Sequence, residues 1–141
     1  MADLNPLIRV RRHALEQKQK ALAALYRQLE GLQDEKTRML EQLEQEQSGA
    51  AGMDVAMLAY LGSYAEGVKT RVQEIDEEAL ALNTRIDIAR EDMRSAFAEV
   101  KKLEITQENR EDEERREIAK KESDMLDEIG LETYRRLRDE G

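Results

Sequence analysis

From Leu61 to Leu103 apolar side chains recur at alternating steps of four and three residues. The positions are Leu61, Ala65, Val68, Val72, Ile75, Ala79, Leu82, Ile86, Ala89, Met93, Ala96, Val100 and Leu103. The mean step is about 3.5 residues, the period of a left-handed coiled coil. The N-terminal arm has heptads of its own. Ile8, Leu15, Leu22, Leu29 and Leu43 fall on one row, with Lys36 in the missing turn, and Leu25, Leu32 and Met39 form a second row. Tyr26 and Leu40 widen this stripe. Asn5 followed by Pro6 is a helix start, because Asn can cap and Pro suits the first helical position. Gly31 interrupts the pattern at roughly 1 kcal/mol of helix stability relative to Ala.

Ser48-Gly49-Ala50-Ala51-Gly52-Met53-Asp54 breaks the periodicity, and Asp54 can cap a second helix. The pattern predicts a helix over about 6–47, a turn over 48–54 and a second helix from about 54 to 138. Gly62 and Gly67 mark a weak or closely packed stretch early in the second helix. Two long amphipathic helices joined by a short connection pack antiparallel. The expected fold class is therefore all-α: an antiparallel two-helix coiled-coil hairpin with an extended C-terminal helical overhang, in a single domain spanning 1–141. With the turn centred at residues 50 and 51, facing residue numbers should total roughly 101 if both helices rise equally. Ile8 then lies near Met93, Leu22 near Ala79 and Leu40 near Leu61, and residues 104–141 project beyond the hairpin.

Past Leu103 the stripe ends. Residues 106–124 contain Ile118 and Ala119 as their apolar side chains, among charges that support a helix through pairs such as Glu111 with Arg115 and Glu117 with Lys121. A helix that is polar all round has no dry core to enter, so a solvated or partly disordered overhang is expected. Apolar residues then return as Met125, Leu126, Ile129, Leu131, Tyr134 and Leu137, a short face with no partner helix from the same chain and a candidate docking surface. Gly130 is a place for the helix to break.

Composition narrows the function. The chain has one Pro, one Phe, no Trp and no Cys, and its aromatic fraction is 4%. That suits long helices and a thin two-helix core. The net charge of −9 disfavours a nucleic-acid partner, which requires a clustered basic face. Arg9, Arg11 and Arg12 near the start and Arg135, Arg136 and Arg138 near the end are the nearest approach to one. The lack of Cys removes disulfides and thiolate metal sites. There is no run long enough to span a membrane and no signal-peptide core, so the expected location is the cytoplasm.

Catalytic chemistry finds no residues to use. His13 is the single histidine, between Arg12 and Ala14, and no nucleophile has a base. No phosphate loop, calcium loop or metal-ligand spacing is present, so no cofactor and no metal are expected. The carboxylates alternate with Lys and Arg as on exposed coiled-coil faces. An enzyme needs a preorganised pocket, which two helices do not make, so no enzymatic activity is expected.

The order of parts carries a family resemblance. The basic start Leu7-Ile8-Arg9-Val10-Arg11-Arg12 is followed by a Leu/Gln/Glu-rich helix and a short turn. Then come Leu61-x-x-Tyr64-x-x-x-Val68, a charged Glu/Arg region and the close Met125-Leu126-Asp127-Glu128-Ile129, with the tail Tyr134-Arg135-Arg136. Over nearly its full length this chain resembles the FliJ/YscO family of type III export proteins, found in bacterial flagella; Gly130 departs from the helix former more common in the family. The resemblance implies a stalk-like component that links a hexameric export ATPase ring to the cytoplasmic domain of the membrane export gate. Members also bind substrate chaperones, and they reach the cytoplasmic face of the inner membrane only through partners. By position, the resemblance assigns the ATPase-ring contact to Arg9, Arg11, Arg12, Met125, Leu126, Ile129 and Tyr134. It assigns the gate contact to Tyr64, Val68, Arg71 and Ile75. Val68 and Ile75 also lie on the apolar stripe, where the core is the alternative; Tyr64 and Arg71 lie off it.

Two other architectures fit parts of the pattern. A prefoldin-like chaperone hairpin needs strands between its helices, for which residues 48–54 are too few and too rich in Gly and Ala. A homodimeric structural coiled-coil spacer needs one continuous helix, with the glycines at 49 and 52 as a stutter.

Overall fold

The computed structural model describes residues 3–140. They form two helices, α1 over Asn5–Ser48 and α2 over Val55–Glu140, and no strand occurs among the described residues. The start of α1 is capped from two residues before Asn5: the Asp3 carboxylate accepts the Asn5 amide at 3.0 Å. Pro6 then falls in the first turn, where its missing N–H leaves no bond unmade. Asp54 caps α2 by accepting the Met57 amide at 2.8 Å. Between the helices Gly52 adopts φ 90°, a left-handed conformation that a side chain disfavours, and this residue turns the chain. The helix therefore stops at 49–54, and the continuous-helix spacer does not describe this chain; a strand-bearing prefoldin hairpin does not either.

The chain groups into two compact units. One comprises Ala14–Ala96, and the other combines Met1–His13 with Phe97–Gly141. In the 14–96 unit the buried residues are Leu22, Val68, Ile75, Leu82 and Ile86, with Leu25, Leu29, Leu32, Met39 and Leu43 half-buried on α1. In the other unit Ile8 and Val100 are buried, with Leu4 and Leu103 half-buried. Every one of the thirteen stripe positions from Leu61 to Leu103 is buried or half-buried. Tyr26 and Leu40, expected to widen the α1 stripe, are 44% and 43% exposed and lie off the seam.

The helices run antiparallel, but the register differs from the symmetric fold-back. In the 14–96 unit Lys36 meets Asp76 and Glu35 meets Arg71, partners whose numbers total 112 and 106. In the other unit Arg11 meets Glu99, for a total of 110, and the Leu4 amide meets Gln107, for 111. Leu22 thus lies opposite roughly residue 88 and Ile8 opposite roughly residue 102, about two and a half turns beyond the expected Ala79 and Met93. The cause is the asymmetric turn. The first turns of α2 are only loosely covered by the end of α1, and Val55, Met57, Leu58 and Tyr60 are 83%, 50%, 46% and 69% exposed. The shift carries helix pairing to Gln107 and accounts for a stripe that reaches Leu103.

From 113 to 140 every residue of α2 is exposed, and the helix continues through Gly130 without a break. Apart from the adjoining residues and backbone of α2 itself, no atom lies within 4 Å of where a Cβ on Gly62, Gly67 or Gly130 would stand, so these glycines are not sites of close packing between helices.

Candidate partner-docking surfaces

Exposed apolar side chains on α2 gather in two stretches, with Leu80, Ile88, Phe97 and Ile105 exposed singly between them, and a cluster of charges ties the first stretch to α1. The first stretch opens the helix. Residues 48–65 hold a single charge, Asp54, in a chain that is 39% charged, and that charge is used as the cap. Met53, Met57, Tyr60, Leu61 and Tyr64 line a hollow of about 130 Å³, with Gln42 and Glu46 of α1 on its rim. Periodicity does not single out Met57, Leu58 and Tyr60, because it registers buried stripes. The absence of charge over eighteen residues is the signal that marks them.

One turn further on, Tyr64 is half-buried beside this hollow, whereas Val68 and Ile75 are 3% and 1% exposed and pack in the core. Of the four positions that the resemblance assigns to the gate, Tyr64 and Arg71 are the ones with surface to offer. Arg71 is already engaged. Its Nε and one terminal nitrogen donate to the two oxygens of Glu35 at 2.9 and 3.1 Å, a bidentate pairing across the helices. Its other terminal nitrogen reaches Glu74 at 3.3 Å and Glu78 at 3.5 Å. The hydrogen bond from Arg71 holds the Glu35 carboxyl below its ordinary value, against partial desolvation that acts the other way. The bonds to Glu35 and then Glu74 raise the Arg71 pKa in return. Glu35, absent from the heptad rows, is the residue that sequence reasoning missed here.

The start of α1 is fastened by a different chemistry. The Gln107 side chain accepts the Leu4 amide at 2.9 Å through its oxygen and donates through its nitrogen to Asp3 at 3.3 Å and Glu111 at 3.0 Å. Gln107 thereby satisfies one of the donors that a helix start leaves open. Arg11 pairs with Glu99 at 3.3 Å and Arg12 with Glu104 at 3.3 Å, while Arg9 is exposed. Two of the three arginines expected to meet the ATPase ring are thus held by α2. Lys101 lies 5.5 Å from the centre of the Phe97 ring.

The second apolar stretch lies in 113–140. Met125, Leu126, Ile129 and Tyr134 are 63%, 69%, 53% and 62% exposed, so all four positions expected at the ATPase contact are open. His13 is exposed as well. No group of three or more His, Cys, Asp or Glu residues suited to a metal ion occurs among the described residues. No helix among them is long and apolar enough to cross a membrane.

The family model described as "Flagellar FliJ protein" matches residues 1–138. No curated protein and no solved structure gives a match to the chain.

Proposed function

Because the chain belongs to the FliJ family of flagellar proteins, we propose that it is a non-enzymatic, stalk-like part of the type III export apparatus, connecting the hexameric export ATPase to the cytoplasmic domain of the export gate. Family membership itself gives the chain a role in flagellar export and partners among the components of that apparatus. The ATPase, the gate and the escort of substrate chaperones are the finer reading. The protein would act in the cytoplasm and reach the inner membrane through those partners.

The observation that carries this reading is the unpaired stretch of α2. Twenty-eight consecutive exposed residues, 113–140, keep helical form and present Met125, Leu126, Ile129 and Tyr134 to solvent. Large apolar side chains left open on a helix are surfaces for partners. The charges around them make contacts that are individually weak and screened by salt, which suits a part that must turn or exchange within a charged ring. Arg9 and the paired Arg11 and Arg12 would add to the ring-facing side. Tyr64, with the Met57–Tyr60 hollow beside it, would face the gate, and Arg71 would join it by exchanging Glu74 or Glu78 for a partner carboxylate. Val68 and Ile75 would support that surface from below.

Removal of residues 126–141 tests the proposal. The hairpin should remain folded by circular dichroism while binding to the export ATPase, and stimulation of its hydrolysis, fall. Full stimulation by the shortened chain would rule the ring contact out. Tyr64→Ala should reduce capture of the gate domain and leave ATPase binding unchanged.

A further inference from the structure

The exposed end of α2 carries two apolar ridges and a division of charge. Met125, Ile129, Thr133 and Leu137 stand four residues apart and form one ridge; Leu126, Gly130 and Tyr134 form the next. The Thr133 hydroxyl is bonded to the Ile129 carbonyl at 2.9 Å, so its polar atom is satisfied within the helix. At Gly130 the second ridge dips, and a Cβ there would meet open space. Ridges built on four-residue steps interdigitate when two helices cross at about −50°, and a missing side chain at the crossing lets the backbones approach.

Charge fixes the direction of the crossing. Residues 122–128 carry Glu122, Asp124, Asp127 and Glu128 with no base, whereas 132–138 carry Arg135, Arg136 and Arg138 against Glu132. An antiparallel second copy brings each acidic half beside a basic half, twice, about one two-fold axis. A parallel copy puts like charge on like. We propose that the free protein self-associates through residues 122–138 as a crossed, antiparallel pair centred near Gly130. A crossing of this kind touches over about two turns on each side, well below the roughly 1,200 Å² of a stable interface. The pair is therefore weak and concentration-dependent, and salt weakens it further. It stands on the ridge and charge pattern alone, independent of any ATPase contact. It also covers Met125, Leu126 and Ile129, so a chain paired in this way must separate before those residues meet another partner.

Sedimentation equilibrium of the full-length chain across a concentration series tests the proposal without any partner. The mass should rise towards twice the monomer value, and the rise should diminish with added salt. Leu126→Glu combined with Ile129→Glu changes only exposed positions; it should keep the helix content and abolish the rise. Gly130→Leu, which fills the notch, should weaken association about tenfold, the loss of one close contact at the crossing. Spin labels give the direction: a label at Lys120 should lie nearer to one at Asp139 of a second molecule than to a label at Lys120 of that molecule. A constant monomer mass, association unchanged by the double substitution, or like labels nearer than unlike ones would overturn the proposal.

Discussion

Residues 61–103 and 113–140 belong to the same helix and draw on the same mixture of Glu, Arg, Leu and Ala, yet the first carries a covered apolar stripe, with Leu80, Ile88 and Phe97 exposed beside it, and the second carries none. In the first stretch all thirteen stripe positions are buried or half-buried; in the second no position is. The difference is in spacing. A strict alternation of four and three keeps one seam facing a neighbouring helix over many turns, and α1 supplies that neighbour. The later apolar residues follow four-residue steps, which rotate around the helix and suit a short crossing. The second stretch stays helical through continuity with the paired stretch and through local pairs, Arg115 with Asp112 and Arg136 with Glu132 at 3.1 Å. Apolar residues in a helix thus report a partner, and their period reports whether the chain itself provides one.

The sharpest way to break this comparison is to shorten one apolar side chain in each stretch. Ile75 is 1% exposed, and Ile75→Ala should destabilise the hairpin by about 2–5 kcal/mol through lost transfer energy and the cavity left behind. Leu126 is 69% exposed, and Leu126→Ala should change stability by no more than about 0.5 kcal/mol. Thermal or urea unfolding followed by circular dichroism gives both values. Equal effects would mean that the end of α2 is packed in solution.

Much of this architecture is legible in the residues. The stripe from Leu61 to Leu103 names the buried face of α2 position by position, Asp54 announces its start, and Gly52 supplies the turn. Register is not legible, because a fold-back estimate assumes that the turn is symmetric. The pairing is offset by about two and a half turns from that symmetric estimate. Among the candidate sites, Met125, Leu126, Ile129 and Tyr134 can be read as open because no opposing stripe reaches them. The pairing of Arg71 cannot be read. Whether an arginine faces solvent or clasps Glu35 depends on the residue across the interface, and so on the register. Gln107 is hidden for the same reason: nothing in a polar segment marks one glutamine as the cap of a distant helix start.

A smaller effect sharpens the boundary between the paired and unpaired parts. Gln107→Ala leaves the Leu4 amide and the Asp3 carboxylate without their side-chain partner on α2. Loss of a helix cap typically costs about 1 kcal/mol, and here the cost falls on the first turns of α1. Hydrogen exchange should quicken at residues 4–10 and stay unchanged in the 14–96 unit. Protection at the start of α1 that survives the substitution would mean that Ile8 and Val100 hold that end without the clamp.

The smallest expected effect concerns acid, and it separates a charge held across two helices from one held within a turn. Glu35 has a lowered pKa because Arg71 bonds its ionised form. A carboxylate of this kind contributes stability in full above its ordinary value of 4.5. That contribution disappears as pH falls through the lower value of the folded chain. The wild-type chain should therefore melt higher than Glu35→Gln at neutral pH, and the gap should close as the pH falls below 4.5. Added salt should narrow the gap, since the pair is exposed to solvent. Glu132→Gln, in the unpaired stretch, removes only a bond to Arg136 one turn away, and should leave the melting of the hairpin unchanged at every pH. A gap for Glu35→Gln that persists undiminished into acid would assign its effect to shape or packing. In that case the lock between α1 and α2 at Arg71 would not depend on the charge of Glu35.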